Sequence, residues 1–247
     1  MVFGLIIIGD ELLSGKRQDQ HFMHAVQILT TRGLELKWCQ IIGDDPQIIT
    51  DTLKYTLARQ DIVFCFGGIG ATPDDHTRQC AASAAGVRLA RHPEAVAEIE
   101  ARFGTEAYPH RILMADLPEG SNIIPNPYNR IPGFSLAMHY FLPGFPTMAW
   151  PMMEWVLDSH YAYLNQPPQK ELSITVFGVY ESHLLELMQK FVNHYPELRF
   201  SSLPSINEME PRIELSVRGD NLQVTDAMNF LKQGIGALGV KWNENVP

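Results

Sequence analysis

Apolar positions in the first half of the chain alternate between compact runs and helical stripes. Phe3 to Ile8 is apolar without a break and stops at Gly9-Asp10, the pattern of a strand buried on both faces. Residues 19–31 then carry Phe22, Val26 and Leu29 at helical spacing, with Gly33 placed as a C-cap. A second strand over residues 35–42 ends in Gly43-Asp44-Asp45. Asp45 is placed to cap the next helix, Pro46 suits its first position, and Ile49, Leu53 and Leu57 form its stripe. A third strand over residues 61–66 ends in Gly67-Gly68-Ile69-Gly70, and from Asp74 the pattern turns helical until Gly86. This β-α-β-α-β-α order predicts an α/β fold, a parallel sheet covered by helices. Right-handed crossovers bring the carboxyl ends of its strands to one edge, where such folds bind ligands.

Further elements follow: a helix over residues 93–103, a short helical piece over 110–115, a strand over 121–124 and a Pro/Asn-rich loop over 125–133. One strand over 134–142 and a helix over 147–161 complete this part. Asn165-Gln166-Pro167-Pro168-Gln169-Lys170 reads as a linker. Beyond it, strands over 172–177, 198–203 and 212–217 and helices over 181–193 and 222–234 predict a small α+β domain. Its first helix would bury Leu184, Leu185, Met188 and Val192. The expected domains are residues 1–165 and 171–247.

Composition narrows the classes. Of 247 residues, 45% are hydrophobic and 19% charged, which excludes a mostly disordered chain. Lys plus Arg is 19 against 28 Asp plus Glu, a net charge of −9 with no dense basic run, so nucleic acid is not the expected partner. The three cysteines, Cys39, Cys65 and Cys80, form no closed disulfide set, and the first two sit in apolar runs as core thiols. There is no basic n-region at the start and no apolar run of the ~18 residues that span a bilayer. The expectation is a soluble cytoplasmic protein without a membrane partner.

Three predicted strand ends carry glycine and acid together: Gly9-Asp10-Glu11, Gly43-Asp44-Asp45, and Gly67-Gly68-Ile69-Gly70 before Asp74-Asp75. A helix cap or a tight turn explains any one of them alone. Jointly they suit phosphate chemistry, since Gly-rich turns that lead into helices expose backbone N–H groups to anions. Carboxylates beside a phosphate call for a divalent cation, and Mg²⁺ binds through one or two carboxylates plus phosphate oxygens. Backbone N–H groups over 67–72, including Gly67 and Gly70, would cradle phosphate, with Asp10 in the metal shell. P-loop, dinucleotide-fingerprint, nucleophile-elbow and zincin motifs are all absent. His21 and His24 share a helix face and read as a packed or solvated pair.

Gly9-Asp10-Glu11-Leu12-Leu13-Ser14-Gly15 with Asp19 resembles the opening of the competence/damage-inducible CinA family. Gly67-Gly68-Ile69-Gly70-Ala71-Thr72-Pro73-Asp74-Asp75-His76-Thr77 resembles its GGxGxTxDDxT signature. Asn126-Pro127, Pro132-Gly133-Phe134, the Leu142-to-Pro146 turn and Gly178 to Ser182 match later family segments in order. The resemblance implies a MoaB/Mog-like three-layer αβα sandwich with a mostly parallel sheet, followed by the small α+β domain. It implies a molybdopterin or nucleotide ligand, metal-dependent hydrolysis of ADP-ribose-like pyrophosphates, and a homo-oligomer. By the same resemblance Asp44 and Asp75 are the two acidic site positions, with Ser14, Gly68, Thr72 and Pro143-Gly144 on ligand-contacting loops. The amidohydrolase domain of many members has no counterpart in these 247 residues. Phe66, Ala71, Gln20-His21 and Tyr128-Asn129-Arg130-Ile131 depart from the usual family residues. Three functions stand open: a nucleotide pyrophosphatase, a pterin-binding protein using adenylate chemistry, and a binding module without turnover.

Overall fold

The computed structural model describes residues 1–205 and 211–245; residues 206–210 and 246–247, within the expected second domain, lie outside the described residues. The chain divides into two compact units, Met1–Gln166 and Pro167–Pro247. In order, the first unit holds β1 (Phe3–Ile8), α1 (Asp10–Leu13), α2 (His21–Thr31), β2 (Leu36–Ile42), α3 (Pro46–Leu57) and β3 (Ile62–Phe66). There follow α4 (Thr77–Ala85), β4 (Leu89–Arg91), α5 (Pro93–Phe103), β5 (Asp116–Pro118), β6 (Asn122–Ile124), β7 (Gly133–Leu136), β8 (His139–Leu142) and α6 (Pro146–His160). The second unit holds β9 (Lys170–Phe177), α7 (Glu181–His194), β10 (Arg199–Ser205), β11 (Arg212–Gly219), α8 (Asn221–Ala237) and β12 (Trp242–Glu244).

The first unit is an αβα sandwich around a six-stranded sheet in the order β2-β1-β3-β8-β7-β6. β2, β1, β3 and β8 are parallel, and β7 and β6 add an antiparallel edge. The buried strands explain their unbroken apolar runs. Leu5, Ile7, Phe64 and Leu142 face one core with Leu29, Met152 and Val156 of α2 and α6. Ile6, Ile8, Val63, Cys65 and Phe141 face the other, with residues of α3, α4 and α5. Cys65 and Cys80 are buried, Cys39 half-buried, and all three are free thiols. Burial raises the Cys39 thiol to about 11, so none of this points to a reactive thiolate. The second unit is an antiparallel sheet, β10-β11-β9-β12, with α7 and α8 against it. Ile174, Leu215, Phe191 and Leu231 lie in its core.

Several expectations need correction. Residues 134–142 are not one strand but the hairpin β7-β8, reversed where Ala137 takes a left-handed φ of 51°. No Gly, Asn or Pro marks that turn, so the apolar run hides it. Helix α2 starts at His21, because the Asp19 carboxylate stays outside and accepts the N–H groups of His21 and Phe22. Its buried residues are His21, Ala25, Ile28 and Leu29, leaving Phe22 exposed. In α7, Leu184 and Phe191 are buried while Leu185 and Val192 are exposed, so the stripe is turned from the expected one. The short helical piece expected over 110–115 is present, as a 3₁₀ turn over Arg111–Ala115. Helix α1, the β4-β5 pair and β12 have no expected counterpart; each is three or four residues, too short for a periodic pattern.

Candidate functional site

The parallel register sets the site. Ile8 pairs with Ile42, Ile7 with Phe66, and Phe66 with Leu142, so four strands end in one row. The residues that follow are Gly9, Gly43, Gly67 and Pro143-Gly144. Above them lies a cleft of about 420 Å³. Its walls include Asp44, Gly67, Gly68, Gly70, Thr72, Asp75, Pro143 and Gly144, all anticipated site residues. Asp10 and Ser14, also anticipated, do not line it among the described residues. Ser14 ends α1, its hydroxyl 3.4 Å from the Glu11 carbonyl.

The loop between β3 and α4 forms one wall. Gly67 (φ 106°) and Gly68 (φ 66°) take conformations that side chains resist. A Cβ at Gly67 would strike the Ile8 carbonyl, and one at Gly68 the Thr77 hydroxyl. Buried Thr77 ties the turn: its N–H donates to the Gly68 carbonyl and its hydroxyl to the Gly67 carbonyl, both at 3.0 Å. Arg78, 4% exposed, donates to the Gly70 carbonyl at 2.7 Å and to the Leu113 and Asp116 carbonyls. The Thr72 N–H and hydroxyl bind one Asp75 oxygen at 2.9 and 2.5 Å. This local turn delays α4 from the expected residue 74 to Thr77. Between these anchors the N–H groups of Gly68, Ile69, Gly70 and Ala71 have no acceptor among the described residues. Such a run of backbone donors beside a helix start suits an anion.

Acidic residues also line the cleft, Glu11, Asp44, Asp74 and Asp75 among them. The Asp10 N–H donates to the Asp44 carboxylate at 2.9 Å, and the Asp44 N–H returns a bond to Asp10 at 3.1 Å. Gly43 makes room, since a Cβ there would strike the Asp10 carboxylate. Asp45 caps α3 by accepting from the Ile48 N–H at 2.9 Å. Burial raises the Asp44 pKa, and Asp10, Glu11 and Asp74 raise it further against the Asp10 N–H bond. Among the described residues no three His, Cys, Asp or Glu side chains converge as a metal cage. The anticipated set of Asp10, Asp44 and Asp75 is therefore not a preformed cage: Asp10 is turned to the Asp44 backbone, and Asp75 to Thr72. Asp44 and Asp75 each keep one oxygen without a hydrogen bond.

Sequence reading missed several wall residues. Arg17 lines the cleft and makes no ion pair among the described residues. Its only signal was position, three residues beyond Ser14. Met114, Asn126, Asn129, Ile131, Phe145 and Met148 form a wall that is apolar except for two amides. His21 stacks on Phe66 with ring centroids 4.4 Å apart. His21 is 5% exposed, burial lowers its pKa, and its Nε2 donates to the Gly144 carbonyl at 3.1 Å. It thus holds the Pro143-Gly144 turn in the neutral ring form. His24 stacks on Trp150 at 3.7 Å, so the histidine pair is packed.

Residues 4–162 match the family model described as a probable molybdopterin binding domain. The chain belongs to that family. A CinA-like protein of Syntrophotalea carbinolica is 35% identical over 74% of this chain and 46% of its own length. A CinA-like protein of Citrifermentans bemidjiense is 32% identical over 96% of this chain and 57% of its own. The chain thus spans about half the length of such CinA-like relatives. The crystal structure of the protein CinA with unknown function from Thermoplasma acidophilum superposes with a TM-score of 0.59 at 26% identity. It covers 64% of this chain and 98% of that one. The molybdopterin-binding-domain unit therefore carries the cleft described above, with a mostly parallel sheet beneath it. No helix among the described residues is long and apolar enough to cross a membrane.

Proposed function

We propose that this CinA-like chain binds a phosphorylated nucleotide or pterin in the cleft and hydrolyses ADP-ribose-like pyrophosphates with a divalent cation. One observation carries the reading: four backbone N–H donors without acceptors among the described residues line the same cleft as the carboxylates Asp44, Asp74 and Asp75. A bare phosphate would be drawn to the donors and repelled by the carboxylates. A divalent cation resolves that conflict.

The donor set fits such a cation. Mg²⁺ favours one or two carboxylates together with phosphate oxygens and waters over an all-protein cage. Asp44 and Asp75 each offer a free oxygen, and Asp10 orients Asp44 through their paired backbone bonds. The bound cation would polarise the phosphoryl oxygen. The chain's own residues do the rest. Gly68 to Ala71 N–H groups hold phosphate oxygens, and Arg17 offers a second positive contact at the mouth. His21 fixes the Gly144 carbonyl and so the floor of the cleft. Ser14 lies off the cleft walls and supports α1.

Binding without turnover, with molybdopterin as ligand, is favoured by the family match. The test is AMP release from ADP-ribose with Mg²⁺ or Co²⁺ by the wild type and by Asp44→Asn and Asp75→Asn variants. Metal-dependent release that falls at least a hundredfold in both variants supports hydrolysis. Absent release with micromolar pterin binding by the wild type assigns the cleft to binding alone. Sedimentation of the purified chain tests the homo-oligomer that the resemblance implies, and fractionation tests a cytoplasmic location.

A further inference from the structure

Another part of the cleft lining, Asn129 and Ile131, comes from the segment Tyr128-Asn129-Arg130-Ile131. It is also a heavily tied piece of backbone. Asn126, 4% exposed, spends its whole amide on the segment. Its Nδ2 donates to Asn129 Oδ1 at 2.8 Å and to the Ile131 carbonyl at 2.9 Å, and its Oδ1 accepts the Tyr128 N–H at 3.0 Å. The Arg130 N–H returns to the Asn126 carbonyl at 3.0 Å. Arg130 holds a left-handed φ of 61° and is pinned by a two-pronged ion pair to Glu98 at 2.7 and 3.0 Å. A non-glycine residue in that region is strained, and strain persists where surrounding contacts enforce it.

These ties leave one group unspent. Asn129 Oδ1 accepts two bonds, from Asn126 Nδ2 and from the Ile131 N–H at 3.0 Å. Asn129 Nδ2 meets only the thioether of Met148, at 3.5 Å. A thioether is a weak acceptor. A half-buried amide with fixed orientation and two nearly free N–H bonds therefore lines the same cleft as Met114, Ile131, Phe145 and Met148. Polarizable methionines and an aromatic ring suit a flat ring, and an amide donor suits a ring nitrogen or carbonyl.

We propose that Asn129 is the specificity-determining residue of the cleft. A planar nitrogen heterocycle rests on the Met114-Met148 wall and accepts a hydrogen bond from Asn129 Nδ2. The inference rests on the phosphate end lying at Gly68 to Ala71. A nucleobase and a pterin share this chemistry, so the experiment carries both.

Calorimetric titrations in Mg²⁺ would use inorganic pyrophosphate, ribose 5-phosphate, AMP and 6-hydroxymethylpterin. The proteins are the wild type, Asn129→Asp, which keeps shape and Oδ1 acceptance, and Asn129→Gly, which removes the donor without adding charge. The wild type should bind AMP or the pterin at least tenfold more tightly than ribose 5-phosphate. Both variants should lose that preference while pyrophosphate affinity stays within threefold in Asn129→Gly. If Asn129→Asp does not fold, Asn129→Gly alone decides. An unchanged preference, or equal losses for pyrophosphate and AMP, overturns the assignment. Wild-type binding of pyrophosphate without either heterocycle overturns it and leaves the phosphate loop standing. Wild-type binding of none of the probes overturns the functional reading beneath it as well.

Discussion

Asp44 and Asp45 are adjacent acids with opposite duties. Asp45 caps α3 through the Ile48 N–H, so Asp45→Ala should cost about 1 kcal/mol of stability, read by urea unfolding, and leave ligand affinity intact. Asp44→Asn should keep stability within about 1 kcal/mol and lose metal-dependent pyrophosphate binding, read by calorimetry. Because the Asp44 pKa is raised, mainly by burial, a proton competes with the cation at a higher pH than it would at an unperturbed aspartate. Metal-dependent affinity should therefore weaken on acidification before an exposed aspartate would titrate, and the Asp44→Asn protein should lack that dependence. Gly68→Ala places a Cβ against the Thr77 hydroxyl at a φ of 66°. It should cost about 1–3 kcal/mol and weaken phosphate binding together, seen in the unfolding midpoint and in titration. The sequence marked Asp44 as a site candidate and Asp45 as the cap. That Asp44 turns to Asp10 depended on the register of β1 against β2.

At the scale of elements, the loop from Gly67 to Asp75 is held from α4. Arg78 is buried, and its guanidinium binds three carbonyls, two of them in the Leu113–Asp116 segment. Arg78→Met should leave those carbonyls unsatisfied and cost about 2–4 kcal/mol, measured by urea unfolding. Arg78→Lys should recover little, because an ammonium cannot reach three fixed acceptors with a planar fork. Nothing in the sequence singles out Arg78 within the helix after Asp75. Nothing in helical periodicity shows that the β4-β5 pair and the 3₁₀ turn close over it. The Asp19 cap and the early residues of α4 show the same limit. A carboxylate that binds backbone N–H groups moves a helix boundary by two or three residues without altering the apolar pattern.

At the scale of the molecule, the opposite end of the sheet carries a different liability. His139 begins β8, is 1% exposed, and bonds the Thr56 hydroxyl at 2.9 Å. Burial lowers its pKa from 6.5 to about 4, against the pull of Asp61. The unfolded chain thus takes up a proton near pH 6.5 that the folded chain refuses until about pH 4. Stability is whole above pH 6.5 and falls as pH drops toward 4, by up to about 3 kcal/mol at 1.36 kcal/mol per unit. Urea midpoints across that range should show the slope, and His139→Asn should flatten it. The sequence by itself determined the alternation of strands and helices, the sheet edge that carries the cleft, the glycine and acid content of that edge, and the family. These depend on local pattern: apolar periodicity, glycine at strand ends and caps at helix starts. Only the tertiary structure decided that Ser14 and Asp10 stand off the cleft while Arg17 and Asn129 line it. It also decided that His21 stacks on Phe66, and that residues 134–142 fold back as a hairpin. Each of those outcomes depends on contacts between residues far apart in the chain, whose geometry is set by strand register and packing.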